Sequence, residues 1–90
     1  MKIVKTGVAG TMESSDIIIR IEPKDTPGIE LSLESNVIAQ FGDKIKEVIL
    51  RTLDEYDVER AYVYAVDKGA LDCTISARVR TAVTRAGDAK

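Results

Sequence analysis

The sequence predicts a small α+β domain in the order strand, strand, strand, helix, strand, helix, with two helices packed on one face of a largely antiparallel or mixed sheet. Three observations carry this prediction. Apolar residues alternate with period two over residues 17–22 and 29–34, they recur with a helical period over residues 36–56 and 71–86, and residues 58–66 are apolar on both faces. Helices segregated to one side of a sheet let all of these elements bury their apolar surfaces together. With 90 residues the chain has room for one domain, residues 1–90, burying about 60–65% of the surface its unfolded form exposes.

The first candidate strand runs from Val4 to Thr11, where Gly7 and Gly10 imply a bend, a bulge or a close backbone approach. Its pairing partner is open: either the strands that follow or the segment Val58–Val66. Asp16 to Glu22 is clearer, since Ile17, Ile19 and Ile21 alternate with Ile18, Arg20 and Glu22. Pro23-Lys24-Asp25-Thr26-Pro27-Gly28 then breaks the strand, because proline has no amide proton and glycine accepts positive φ. Ile29, Leu31 and Leu33 resume the alternation, so the two runs are expected to pair as an antiparallel hairpin around that turn.

From Asn36 to Tyr56 the residues Val37, Ile38, Phe41, Ile45, Val48, Ile49, Leu53 and Tyr56 fall on one broad helical face. Ser35 or Asn36 is positioned to cap its first turn. Gly42 costs about 1 kcal/mol relative to alanine inside a helix, which is explained if it lets the helix approach the sheet. Val58 to Val66 places Ala61, Val63 and Ala65 on one side and Tyr62, Tyr64 and Val66 on the other, the signature of a central strand. After Asp67-Lys68-Gly69, a second helix carries Leu71, Ile75, Val79, Ala82, Val83 and Ala86 on its apolar stripe and stops near Gly87. Asp72 near its start and Arg78, Arg80 and Arg85 toward its end suit the helix dipole.

Composition removes most chemistry. There is no histidine, so the commonest general base and metal ligand is missing, and the single Cys73 excludes an intrachain disulfide and a cysteine-rich metal site. A lone thiol is consistent with a cytoplasmic, reducing compartment. Thirteen basic against fifteen acidic residues give a net charge of −2 and no basis for a nucleic-acid partner. No apolar run approaches the roughly 20 residues that span a bilayer, and the N-terminus lacks the apolar segment of a secretion signal, so no membrane partner is expected.

The remaining candidates have ordinary explanations. Lys5 to Thr11 contains glycines but not the spacing of a phosphate-binding loop. Glu13 and Asp16 are spaced as an acid–base pair only if something perturbs them, and turn carboxylates usually solvate a loop. Cys73, near a helix start but without a histidine partner, is read as a packed small residue. It shares a smooth helix face with Ala70 and Ala77, while Leu50 lies opposite the main stripe of the first helix; both faces are candidate docking surfaces. No residue is assigned a catalytic or metal-ligating role. Thr11-Met12-Glu13-Ser14-Ser15-Asp16 stands apart because it sets serine hydroxyls in a polar turn ahead of a strong strand, although serines beside aspartate commonly only shape turns.

That stretch belongs to the block Val8-Ala9-Gly10-Thr11-Met12-Glu13-Ser14-Ser15-Asp16. Together with Gln40-Phe41-Gly42-Asp43 and Asp67-Lys68-Gly69-Ala70-Leu71-Asp72-Cys73, it resembles the acyl carrier protein (γ subunit) of citrate lyase over nearly the whole chain. The resemblance implies that Ser14 is the residue that carries 2'-(5''-phosphoribosyl)-3'-dephospho-coenzyme A through a phosphodiester bond. Ser15 stands where a glycine can follow the modified serine. The implied partners are the citrate lyase α and β subunits and a prosthetic-group transferase. On this reading the α subunit exchanges acetyl for citryl on the arm, the β subunit releases oxaloacetate, and the carrier itself is not a catalyst. The carrier of malonate decarboxylase is a related reading, and an unmodified α+β protein-interaction module is the alternative from a different class.

Overall fold

The computed structural model describes residues 1–88. The elements follow the expected order: β1 (Gly7–Gly10), β2 (Ile17–Glu22), β3 (Gly28–Ser35), α1 (Ile38–Glu55), β4 (Arg60–Asp67) and α2 (Asp72–Ala86). The four strands form one mixed sheet in the spatial order β1-β2-β4-β3, with both helices on one face.

The expected β2–β3 hairpin does not form. Strand β4 inserts between the two, antiparallel to β2 (Ile19↔Ala65) and parallel to β3 (Leu31↔Val63). β2 and β3 do run in opposite directions, as alternation around a turn implied, but as next-nearest neighbours. Residues 23–27 can bridge that gap: two strand spacings come to about 10 Å, and five extended residues reach about 17 Å. β4 takes the centre because it has apolar side chains on both faces, whereas β3 alternates with Glu30, Ser32 and Glu34 and tolerates an edge. The parallel β3–β4 pair is joined by α1, the crossover such a pair requires.

The covered face of the sheet presents Ile17, Ile19 and Ile21 from β2 and Ala61, Val63 and Ala65 from β4, all buried. Each fully buried isoleucine contributes about 1.5–3 kcal/mol relative to exposure. Against them pack Ile45, Val48, Ile49 and Leu53 of α1 and Ile75, Val79, Ala82, Val83 and Ala86 of α2. Small residues set the closest approach: a Cβ on Gly7 would overlap the backbone of Ala82 and Ala86, so β1 lies directly against α2. The segment before β1 is not strand. Val4 and Lys5 instead donate to the Ala86 carbonyl at the end of α2, and Ile3 bridges to Gly87.

Several local expectations are corrected. Ile38 and Phe41, placed on the buried stripe by periodicity, are 45% and 54% exposed, and Leu71 is 70% exposed. All three lie at helix starts, just past the ends of β3 and β4, where the sheet offers less surface to cover them. Neither Ser35 nor Asn36 caps α1, whose N-cap is Val37; the Ser35 hydroxyl accepts from the Val37 amide at 3.1 Å and donates to Asp67 at 2.9 Å. A Cβ on Gly42 would meet the Ile38 side chain one turn earlier and not the sheet. Cys73 is exposed and not packed. No helix among the described residues is long and apolar enough to cross a membrane.

Candidate functional site

The registers Gly10↔Ile18, Ile17↔Asp67 and Ser35↔Asp67 put four chain ends at one edge of the sheet: the close of β1, the start of β2, and the ends of β3 and β4. Both helices also begin there, since α1 follows β3 and α2 follows β4. Residues 11–16 connect β1 to β2 at this edge. The serines therefore sit at the tip of the β1–β2 hairpin itself, and the open question of what β1 pairs with is settled in favour of β2.

The tip is built around Asp16. Its amide donates to the Glu13 carbonyl at 3.2 Å, which makes Ser14 and Ser15 the central residues of a β-turn. Its carboxylate accepts five hydrogen bonds: from the Ile17 amide (2.7 Å) and Arg78 Nε (3.0 Å) on Oδ1, and from the Thr11 amide (3.1 Å), Thr11 Oγ1 (2.6 Å) and Arg78 Nη2 (2.9 Å) on Oδ2. The two Arg78 bonds are a parallel, charge-assisted fork from α2. Thr11 Oγ1 in turn accepts from the Glu13 amide at 3.2 Å. The Arg78 guanidinium first, then Thr11 and the Ile17 amide, hold the Asp16 carboxyl well below the usual carboxylate range, against a smaller opposing effect of burial. A carboxylate so bound stays ionised and does not shuttle protons, which removes the acid–base pairing of Glu13 with Asp16. It also corrects the expectation of a solvated side chain, since Asp16 is buried.

A second set of bonds ties the tip to the β4–α2 loop. The Ser15 amide donates to the Lys68 carbonyl at 2.8 Å, and the Lys68 amide donates to the Asp16 carbonyl at 2.8 Å. Ser15 has φ +67°, in the left-handed region that favours glycine. This is the physical reason a glycine is acceptable after Ser14, and it carries no local signal in the sequence. Gly10, at φ +99°, leaves no room for a Cβ, which would overlap the Ile17 carbonyl. In the next loop the buried Asp67 accepts from Ser35 Oγ and from the Ala70 amide, both at 2.9 Å, fixing the path into α2.

Ser14 is thus exposed on a turn whose neighbours are held, while its own hydroxyl makes no hydrogen bond among the described residues. The arrangement suits an acceptor: the oxygen is reachable from solvent and its position is fixed by Asp16, Arg78 and Lys68. It does not suit a nucleophile acting alone, because its hydroxyl has no hydrogen bond to a base among the described residues. Arg78 is the functional residue that sequence reasoning missed. Charge and position alone make it a helix-dipole partner, and its distance of 62 positions from Asp16 leaves no local signal of the contact. Arg80 and Arg85 are likewise engaged elsewhere, with Glu55 and with the Val8 carbonyl.

Comparison with known proteins places the chain in a family. The family described as malonate decarboxylase delta subunit matches residues 4–86. The citrate lyase acyl carrier protein of Escherichia fergusonii is 53% identical over 88 residues, covering 98% of this chain and 91% of the relative. The citrate lyase acyl carrier proteins of Vibrio cholerae (56% over 88 residues, 98% and 90% covered) and Streptococcus mutans (56% over 86 residues, 96% and 84% covered) are similarly close. A chain in the crystal structure of a Pseudomonas malonate decarboxylase hetero-tetramer with malonate shares the fold, with a TM-score of 0.76 at 17% identity over 97% of this chain and 93% of that one. The chain belongs to the citrate lyase acyl carrier protein family, which shares its fold and its family description with a malonate decarboxylase subunit.

Proposed function

We propose that Ser14 is the attachment point of a phosphodiester-linked 2'-(5''-phosphoribosyl)-3'-dephospho-coenzyme A arm, and that the protein presents acetyl and citryl thioesters on it to the α and β subunits of citrate lyase. One observation carries the reading: a free, exposed serine hydroxyl on a turn immobilised from three sides. The thiol of the arm supplies the thioester chemistry, so the protein needs no reactive thiol of its own. Cys73 has no place in the reaction on this view, and the chain acts as a non-catalytic subunit.

The residues of the protein have three tasks. Ser14 provides the oxygen for the phosphodiester. The Asp16–Arg78–Thr11 cluster and the Ser15–Lys68 bonds hold that oxygen clear of the surface for the loading transferase. The domain then keeps the tether near its partners, where each delivery is effectively intramolecular. Identity above 50% to citrate lyase carriers favours that system over malonate decarboxylase, to which the structural likeness is at 17% identity.

Intact mass of protein produced alongside its loading enzymes tests the assignment. The expected result is a single adduct of the mass of the arm on the wild type and on Ser15→Ala, and no adduct on Ser14→Ala. An adduct that survives Ser14→Ala overturns the assignment, and an unmodified wild type overturns the carrier reading itself.

A further inference from the structure

Beside the serine turn lies a groove of about 450 Å³ between the first turns of α1 and the β4–α2 loop. Val37 and Ile45 of the α1 side and Ala70 of the loop form its apolar part, and Phe41 and Leu71 flank it. Its size falls in the range of small-molecule sites. Phe41 and Leu71 are 54% and 70% exposed, a pairing of large apolar side chains that a solvated surface gives no reason to keep. The carboxylate of Asp67, which also borders the groove, is taken up by Ser35 and the Ala70 amide.

The groove lies close to the attachment turn, which is bonded to the loop that lines it. Ser15, next to Ser14, is bonded to Lys68, and Gly69, the residue after Lys68, already lines the groove. A group tethered to Ser14 is therefore held at an effective concentration on the order of millimolar at its mouth, so weak intrinsic affinity suffices for occupancy. Resting on the reading of Ser14 as the attachment point, we infer that this groove docks the adenine of the chain's own prosthetic arm, stacked on Phe41 and covered by Leu71. Adenine is the part of the proposed arm that lies nearest the phosphodiester and has a flat π-face, and aromatic side chains stack bases without needing a specific edge. Lys44 at the rim is half-exposed and shared between Glu47 (3.4 Å) and Asp72 (3.7 Å), so its ammonium can turn to the phosphates that follow the adenosine. Docking the nucleoside shortens the mobile part of the arm to the segment beyond it, which carries the thiol.

The test is NMR on protein loaded by its transferase, with loading verified by intact mass. The inference expects nuclear Overhauser contacts from the adenine H2 and H8 protons to the Phe41 ring and the Leu71 methyls. Loading should also shift the amides of Gly69 to Asp72, and Phe41→Ala should abolish the contacts while leaving the mass increment unchanged. Both side chains are exposed, so the variant should fold. A fully loaded protein without adenine contacts, or with contacts from the pantetheine portion in their place, overturns the inference and leaves the attachment at Ser14 intact. Failure to load removes the attachment reading and the inference with it.

Discussion

Replacing Gly10 by alanine should destabilise the protein far more than the same change at Gly28, although both glycines have φ near +100°. At both sites alanine pays a conformational penalty of about 1–2 kcal/mol for the left-handed region, partly offset by about 0.4–1 kcal/mol from a less flexible unfolded chain. The two differ in what the new methyl meets. At Gly28 there is nothing within 4 Å, whereas at Gly10 the Cβ falls on the Ile17 carbonyl and 3.0 Å from the Ile18 Cα. Those are backbone atoms of the paired strand, so they cannot swing aside as a side-chain tip would. The Gly10↔Ile18 end of the ladder must open, and the turn that displays Ser14 opens with it. We expect Gly28→Ala to cost about 1 kcal/mol or less and Gly10→Ala about 2–4 kcal/mol. A chain of this length has a total stability of about 5–13 kcal/mol, so Gly10→Ala should lower Tm by between about 10 and 30 °C. Urea denaturation and calorimetry of the two variants give the comparison, and hydrogen exchange at Thr11 to Asp16 reports local opening. Equal losses for Gly10→Ala and Gly28→Ala would refute the argument, because the conformational penalty would then account for everything.

Ser15→Gly should stabilise the protein by about 0.5–1 kcal/mol, since relief of the left-handed strain exceeds the added unfolded-state entropy; a denaturation midpoint below that of the wild type would contradict it. Arg78→Met should lower stability at neutral pH. Because the folded-state pKa of Asp16 is depressed, the stabilisation it contributes with Arg78 is present above the unfolded value of about 4 and is lost as pH falls below it. The gap between wild type and Arg78→Met should therefore narrow from pH 5 toward pH 2, and a gap that widens over that range would sink the assignment. Ile19→Ala, at a fully buried position in β2, should cost about 2–5 kcal/mol; a cost under 1 kcal/mol in urea would mean that the sheet is not packed as described.

Much of the fold was legible because periodicity is local. Ile17, Ile19 and Ile21 report a half-buried strand whatever lies beside it, and the stripe from Ile45 to Leu53 reports a helix. The neighbour of β2 was not legible, because alternation gives a strand's buried face but not which strand occupies the adjacent hydrogen-bonding edge. Phe41 and Leu71 satisfied the helical period as well as Val48 did. They differ in lying at helix starts, just past the ends of β3 and β4, which no single-helix pattern encodes.

The site divides along the same line. Composition establishes that histidine is absent and that there is a single thiol, and residues 11–16 read as a polar turn ahead of a strong strand; that the blocks around Ser14, Phe41 and Asp67 go together comes from the family resemblance and not from any pattern inside the chain. Only the folded chain reveals that this turn is held by Arg78 from a helix 62 positions away, that Ser15 takes a glycine-like conformation, and that a groove between two helix starts lies near the serine tip. The physical reason is that side-chain chemistry and periodicity are properties of neighbours in the chain. The clamp and the groove exist only once the sheet order β1-β2-β4-β3 has brought the ends of distant elements to one edge.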